Sequence, residues 1–168
     1  MGLDISAYSK IKLERVATED EWEETHGDDR FWVSPIYAER PPFPDQLGGA
    51  SLAPGGVYSF ARSYDFRAGS YGGYCHWRDT LSRVALRVPA DEVWCQWRLF
   101  MGAPFYHLIR FSDCEGIIAG TAAEKLALDF ANFQERVDEV PDGHWRKKYT
   151  CWRHAFEMAA DGGLLRFH

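Results

Sequence analysis

The sequence has few of the features that mark export, metal binding or motif-driven nucleotide chemistry. It has four cysteines in 168 residues, at 75, 95, 114 and 151, and no two of them form C-x-x-C. A disulfide framework is therefore not indicated, and reduced thiols in a cytoplasm are expected. Met1-Gly2-Leu3-Asp4 provides neither a basic stretch nor an apolar one after it, so no secretory leader is expected. No run approaches the ~20 apolar residues of a membrane span, and no membrane partner is expected. Zinc needs four ligands at suitable spacing. Cys151-x-x-His154 offers two, and the adjacent Cys75 and His76 would face different ways. No metal and no cofactor are expected.

Basic charge is also short. Lys and Arg number 19 against 25 Asp and Glu, a net charge of −6. Residues 19–29 hold seven acids (Glu19, Asp20, Glu21, Glu23, Glu24, Asp28, Asp29) and no Lys or Arg; without them the rest of the chain is at +1. Generic duplex binding is not expected, because neutralising phosphates takes a surplus of Lys and Arg. The acidic run is either a solvated helix start or loop, or a surface that mimics nucleic-acid charge or docks a basic partner.

What is present suits one domain over 1–168: 46% hydrophobic, 26% charged and long enough to bury a core. Residues 3–16 alternate with period two and predict a half-buried strand, with Ile11 and Leu13 on one face. Residues 31–37 are β-prone up to Pro35. Residues 41–56 carry four prolines and four glycines and predict a long loop. A short strand over 57–61 follows, then a Gly-rich turn over 67–74. The apolar spacing predicts helices at 71–86 (Tyr74, Trp77, Leu81, Ala85), 121–138 (Leu126, Phe130, Phe133, Val137) and 146–160 (Tyr149, Trp152, Phe156, Ala159). Ser70 would cap the first helix, and Thr121 with Glu124 the second as a capping box. Residues 92–101 are ambiguous, 105–111 read as a buried strand, and 164–168 as a final short strand. The class expected is α+β: a small, mainly antiparallel sheet with three helices on one face.

Three blocks of residues carry a resemblance. They are Met1-Gly2-Leu3-Asp4-Ile5 with Ala7-Tyr8-Ser9, then Phe66-Arg67-Ala68-Gly69-Ser70-Tyr71 with Tyr74 and Trp77-Arg78, then Phe111-Ser112-Asp113-Cys114-Glu115-Gly116. In the same order they resemble a family of small phage and prophage proteins. The resemblance implies an accessory role, acting in the cytoplasm of a bacterial host. The family has no assigned activity, so no catalytic residue carries over.

Two polar segments are candidate sites. Gly69-Ser70-Tyr71-Gly72-Gly73 precedes a helix, where free N–H groups attract anions, and Arg67, Tyr71 and Tyr74 add a charge and rings. It is not a P-loop, since no Lys-Ser/Thr follows. Asp113 and Glu115 stand in a loop before a helix and could accept bonds from hydroxyls or an amine. A ligand with both phosphate and ribose or base groups would engage Arg67, Ser70, Tyr71, Tyr74, Asp113 and Glu115 together. Trp-Arg also recurs at 77–78, 97–98, 145–146 and 152–153. These pairs are core Trp with flanking surface Arg, or planar stacking surfaces. The function expected is binding without turnover: sequestering a nucleotide-type signal, or inhibiting a host defence protein. The alternatives are a small hydrolase or transferase using the 112–116 loop, and a virion or assembly component that self-associates.

Overall fold

A computed structural model describes residues 2–23, 29–34, 46–47, 52–111 and 115–168. In chain order the first elements are β1 (Leu3–Ser9), β2 (Lys12–Val16), α1 (Glu19–Glu23), β3 (Arg30–Trp32), β4 (Gln46–Leu47), β5 (Gly56–Ser59) and β6 (Arg62–Gly69). Then come α2 (Tyr71–Leu86), α3 (Ala90–Cys95), a 3₁₀ turn at Trp97–Leu99, α4 (Tyr106–Arg110), β7 (Gly116–Ala119), α5 (Gly120–Asn132), α6 (Gln134–Asp138), α7 (Gly143–Ala159) and β8 (Leu164–Phe167). The larger sheet has the order β4-β7-β8-β1-β6 and is antiparallel except for the β4–β7 pair. A second sheet, β2-β5-β3, is antiparallel throughout. The fold is α+β, as the order of elements in the sequence suggests.

The larger sheet explains the alternation at the start of the chain. Leu3, Ile5 and Ala7 are buried against the helices, while Asp4, Ser6 and Tyr8 project from the other face. The same logic places Phe66 and Ala68 of β6 against the core. The core is rich in rings from α2, α5 and α7, including Tyr74, Trp77, Phe130, Tyr149, Trp152 and Phe156. Trp77 and Trp145 each donate their indole N–H to the other's backbone carbonyl, at 3.4 and 3.0 Å. A smaller cluster around Phe31, Tyr58, Ile117 and Leu164 joins the second sheet to the outer face of the first.

Several expectations are corrected. The single strand over 3–16 is two strands in two sheets, divided at Lys10, whose φ is 50°. The backbone N–H groups of Lys10 and Ile11 bond to Asp161 and Gly162 instead of extending β1. Of the two residues expected on one buried face, Ile11 packs against the smaller cluster, but Leu13 is 45% exposed. The stretch 105–111 holds helix α4 (Tyr106–Arg110), flanked by Phe105 and Phe111, and not a strand. Phe105, Leu108 and Ile109 are all fully buried, a spacing that a short apolar run shares between both periods.

The capping box lies elsewhere as well. Thr18 and Glu21 form it at α1, with Thr18 N–H to Glu21 Oε2 at 2.8 Å and Glu21 N–H to Thr18 Oγ1 at 3.4 Å. These bonds hold the Glu21 carboxyl below its ordinary range. Thr121 caps nothing: α5 starts at Gly120, its N-cap is Ala119, and no side chain closes it. The helix expected over 121–138 breaks at Phe133, which is half-buried, and continues as α6.

Strands β6 and β7 take residues expected to be turn or loop. Of the long loop at 41–56, Gln46 and Leu47 pair with Ile117 and Ile118, Gly56 opens β5, and 41–45 and 48–51 lie outside the described residues. So do 35–37 of the β-prone stretch and 24–28 of the acidic run. Among the described residues no helix is long and apolar enough to cross a membrane.

Phe130 is fully buried between Phe105, Tyr149 and Phe156. Phe130→Ala should lower unfolding free energy by about 3–5 kcal/mol in urea titration. Leu13→Ser on the exposed face of β2 should change it by less than about 0.5 kcal/mol.

Candidate functional site

The strand register gathers several chain segments at one end of the larger sheet. Leu3 faces Gly69, Ile5 faces Phe167, and Phe167 faces Gly116. The 67–74 turn and Glu115 therefore share that end. With β1 and β8 between them, they are separated by about 14 Å, three strand spacings. Ser112, Asp113 and Cys114 lie outside the described residues, so Asp113 has no place in this geometry.

At this end the expected residues do not form one cradle. Ser70 caps α2 as predicted, its Oγ accepting from Gly73 N–H at 3.1 Å, and Gly69 takes a φ of 133° that favours glycine. Tyr71 is half-buried against the core. Tyr74 is fully buried, so it is a floor for other groups and not a ring open to solvent. Arg67 leaves β6 on the face away from the helices, where it lies 3.9 Å from Asp4 and over Gly2. Its backbone carbonyl accepts from Lys148. Arg67 and the start of α2 are thus on different sides of the sheet. Glu115 is exposed just before β7.

The arrangement with the clearest chemistry lies on the helical side, where α2, α3 and α4 meet. Arg78 is only 7% exposed. It donates to the Phe111 carbonyl at 2.7 Å and reaches Cys75 Sγ at 3.5 Å. Its guanidinium stands 5.0 Å from the Tyr74 ring and 5.5 Å from that of Trp94. Arg110 comes from the last turn of α4 and lies 5.8 Å from Trp94, 5.2 Å from Trp97 and 5.5 Å from Tyr106. Arg98 covers Trp97 at 5.1 Å. Arginines and indoles thus alternate from Tyr74 out to Arg98. Trp94 is held in place by its own N–H, which donates to the Ile109 carbonyl at 3.0 Å.

Charge makes this ladder unusual. None of Arg78, Arg98 and Arg110 forms an ion pair among the described residues. Arg110 spends one N–H on the Tyr106 hydroxyl at 2.8 Å, and its Nε is buried without a hydrogen-bond partner among the described residues. A cleft of about 510 Å³ opens beside the ladder, lined by Cys75, Arg78, Asp79, Trp94 and Cys95 among others. Two carboxylates also line it, and both are engaged: Asp79 accepts from Arg83 at 2.8 Å and from Ala90 N–H at 2.9 Å, and Asp91 accepts from Glu92 N–H at 2.9 Å. Burial pushes the Asp79 carboxyl up, but its two donors together outweigh burial and hold it below the ordinary range. A second hollow of about 460 Å³ runs along Cys95, Trp97, Arg98 and Leu99.

The recurrence of Trp-Arg anticipates one rung, Trp97-Arg98. Trp77, Trp145 and Trp152 belong to the core. Trp94 and Arg110 carried no signal in the sequence, because their meeting depends on α4 being a helix.

Compared with protein-family models, curated proteins and solved structures, the chain matches none.

Two histidines set a pH response. Burial holds His107 below its ordinary value, Lys125 adds to the effect, and Asp129 opposes it. Burial also lowers His168, Arg166 adds, and Asp4 and Asp65 oppose. The folded chain therefore takes these protons less readily than the unfolded chain does. The associated stability is present above the unfolded value of about 6.5 and is lost as pH falls from there toward the folded values. Urea midpoints should drop between pH 7.5 and 5.5, and His107→Gln with His168→Gln should flatten that drop.

Proposed function

We propose that the protein binds a small anionic ligand with a planar ring, of nucleotide type, in the cleft between α2 and α3, and holds it without converting it. The observation that carries this reading is Arg78, a guanidinium more than nine-tenths buried with no ion-pair partner among the described residues. Burying such a charge is costly unless it is compensated. The Phe111 carbonyl and two ring faces offset part of that cost, and a phosphate in the cleft would offset the rest. Trp94 and Trp97 offer ring faces on which a base would stack beside Arg110 and Arg98. Among the described residues no histidine is part of the cleft lining beside Cys75 and Cys95. The resemblance of the three sequence blocks to phage and prophage proteins makes counter-defence the natural setting, with the ligand a signal sequestered in the host cytoplasm.

Thermal-shift titration with cyclic and ADP-ribose-type nucleotides tests this. Binding at a hundredfold excess over Kd should stabilise the fold by about 2.7 kcal/mol. Arg110→Lys should weaken binding by about 1.5–3 kcal/mol, because a lysine replaces neither the stacking plane nor the fork of donors. No shift with any nucleotide, or an undiminished shift in Arg110→Lys, would refute the reading.

Random duplex DNA should not bind at physiological salt, since the acidic α1 stands on a chain of net charge −6. A salt-sensitive, sub-micromolar affinity in fluorescence anisotropy would contradict this.

A further inference from the structure

The sheet face opposite the helices carries a second cluster, which shares no residue with the cleft. Asp4 and Ser6 project from that face of β1, since Leu3, Ile5 and Ala7 between and beside them face the core. His168, one residue beyond β8, lies against Asp4. Asp4 N–H donates to the His168 carbonyl at 2.9 Å, and His168 N–H donates to the Asp4 carbonyl at 3.0 Å. In such a two-bond pair the side chains stand side by side on one face. His168 Nε2 is 2.8 Å from Ser6 Oγ. Ser6 itself is 4% exposed, while His168 opens to solvent.

Arg166 sits directly across from Ser6 in the β1–β8 register. Its Nε is buried and has no hydrogen-bond partner among the described residues. A buried, unused donor beside a serine–histidine pair calls for an acceptor. Asp65 and Arg67 from β6 and Tyr8 from β1 complete the charged and titratable surroundings. Burial and Arg166 keep the His168 imidazole neutral near pH 7, so that Nε2 can accept the Ser6 proton.

We propose that Ser6, His168 and Asp4 are the nucleophile, base and orienting carboxylate of an acyl-transfer site for small carboxylic esters, with Arg166 Nε–H placed to stabilise the oxyanion. The nucleophile and base follow from the 2.8 Å contact of Ser6 Oγ with His168 Nε2, a pairing that recurs on unrelated folds; Asp4 holds His168 through two backbone bonds, and its carboxylate acts on the imidazole by charge. Ser6 Oγ forms a bond to the ester carbonyl carbon as its proton passes to His168 Nε2. The carbonyl oxygen takes the negative charge beside Arg166. The carbon–oxygen bond to the alcohol then breaks, and the leaving alkoxide takes the proton from His168. Water, deprotonated by His168, adds to the acyl group on Ser6. Collapse of that adduct releases the acid and returns the proton to Ser6. Asp4 touches no reacting atom and acts as a positioning residue for the imidazole.

The full chain is treated with a small alkyl fluorophosphonate, then followed by intact mass and peptide mapping. One adduct is expected, on Ser6, with loss of fluoride. His168→Gln should slow labelling at least tenfold while leaving the circular dichroism spectrum unchanged. Asp4→Asn should slow labelling and move its pH midpoint downward, because an anion that favours protonated His168 is gone. A purely structural Asp4 would leave that midpoint in place. With p-nitrophenyl acetate, wild type should release a burst approaching one equivalent of p-nitrophenolate, and Ser6→Ala none. No adduct, an adduct on another residue, or labelling indifferent to His168→Gln would overturn the proposal. Those outcomes leave the nucleotide cleft untouched, since its thermal shift is read independently of Ser6.

Discussion

The indole of Trp152 lies against rings from every layer it could reach. Phe66 of β6 stands edge-on to it at 5.1 Å, Tyr74 and Trp77 of α2 pack at 5.5 Å, and Phe167 of β8 at 5.6 Å. Phe156, one turn further along α7, completes the stack at 6.1 Å. Each such pair adds a directional preference to the area it buries. The stack therefore fixes the angles at which α2 and α7 cross the sheet, beyond merely excluding water. A smaller side chain at this point would leave α2 without the surface it leans on.

What happens at the edge of α2 depends on that anchoring. Tyr74 and Trp77 turn inward and hold the helix against the core, so the intervening and following positions, Cys75 and Arg78, are directed toward α3 and α4. The floor under Arg78 is Tyr74 itself. The aromatic core and the arginine ladder are thus two faces of the same ring. The core side supplies stability, and the ladder side gives the guanidinium a quadrupole to rest on where it has no ion pair among the described residues. The opposite face of the sheet obeys a different constraint. Polar residues there are fixed by strand register alone, which sets Asp4 against His168 and Ser6 against Arg166 without help from the helices.

Much of the architecture could be read from periodicity. The stripes through Tyr74, Leu126 and Trp152 each mark a real helix, and Ser70 caps where its type suggests. The strand starting at Leu164 is also correct. The failures have physical causes. The Leu13 alternation looks like a buried strand, but nothing in a chain's own pattern reports which sheet it will join, and a left-handed turn at Lys10 sends it to the other one. The apolar run Phe105-Tyr106-His107-Leu108-Ile109 fits either period over so short a length. Gly116-Ile117-Ile118-Ala119 is too short for alternation to show at all. The sites were harder still. Arg67 and Ser70 are neighbours in sequence yet leave opposite sides of a sheet, while Trp94 and Arg110, or Ser6 and His168, meet only through tertiary packing. Local reading favours residues that are close along the chain, and both candidate sites are built from residues that are not.

The place of β8 in the larger sheet governs how the chain must assemble. It lies between β1 and β7, so Ser6 at one extreme of the sequence pairs with Arg166 at the other. Closing so long a loop costs about 2 kcal/mol more in chain entropy than closing one a tenth as long. Pairings between distant segments form slowly, and the local contacts of α5 with α7 have every opportunity to come first. Until β8 arrives, β1 and β7 each present an open row of N–H and C=O groups to whatever strand is nearby. In a crowded population of half-folded chains the β8 of another molecule would meet the same register requirements. The fold thus carries, in the order of its strands, an inherent route to exchange between copies.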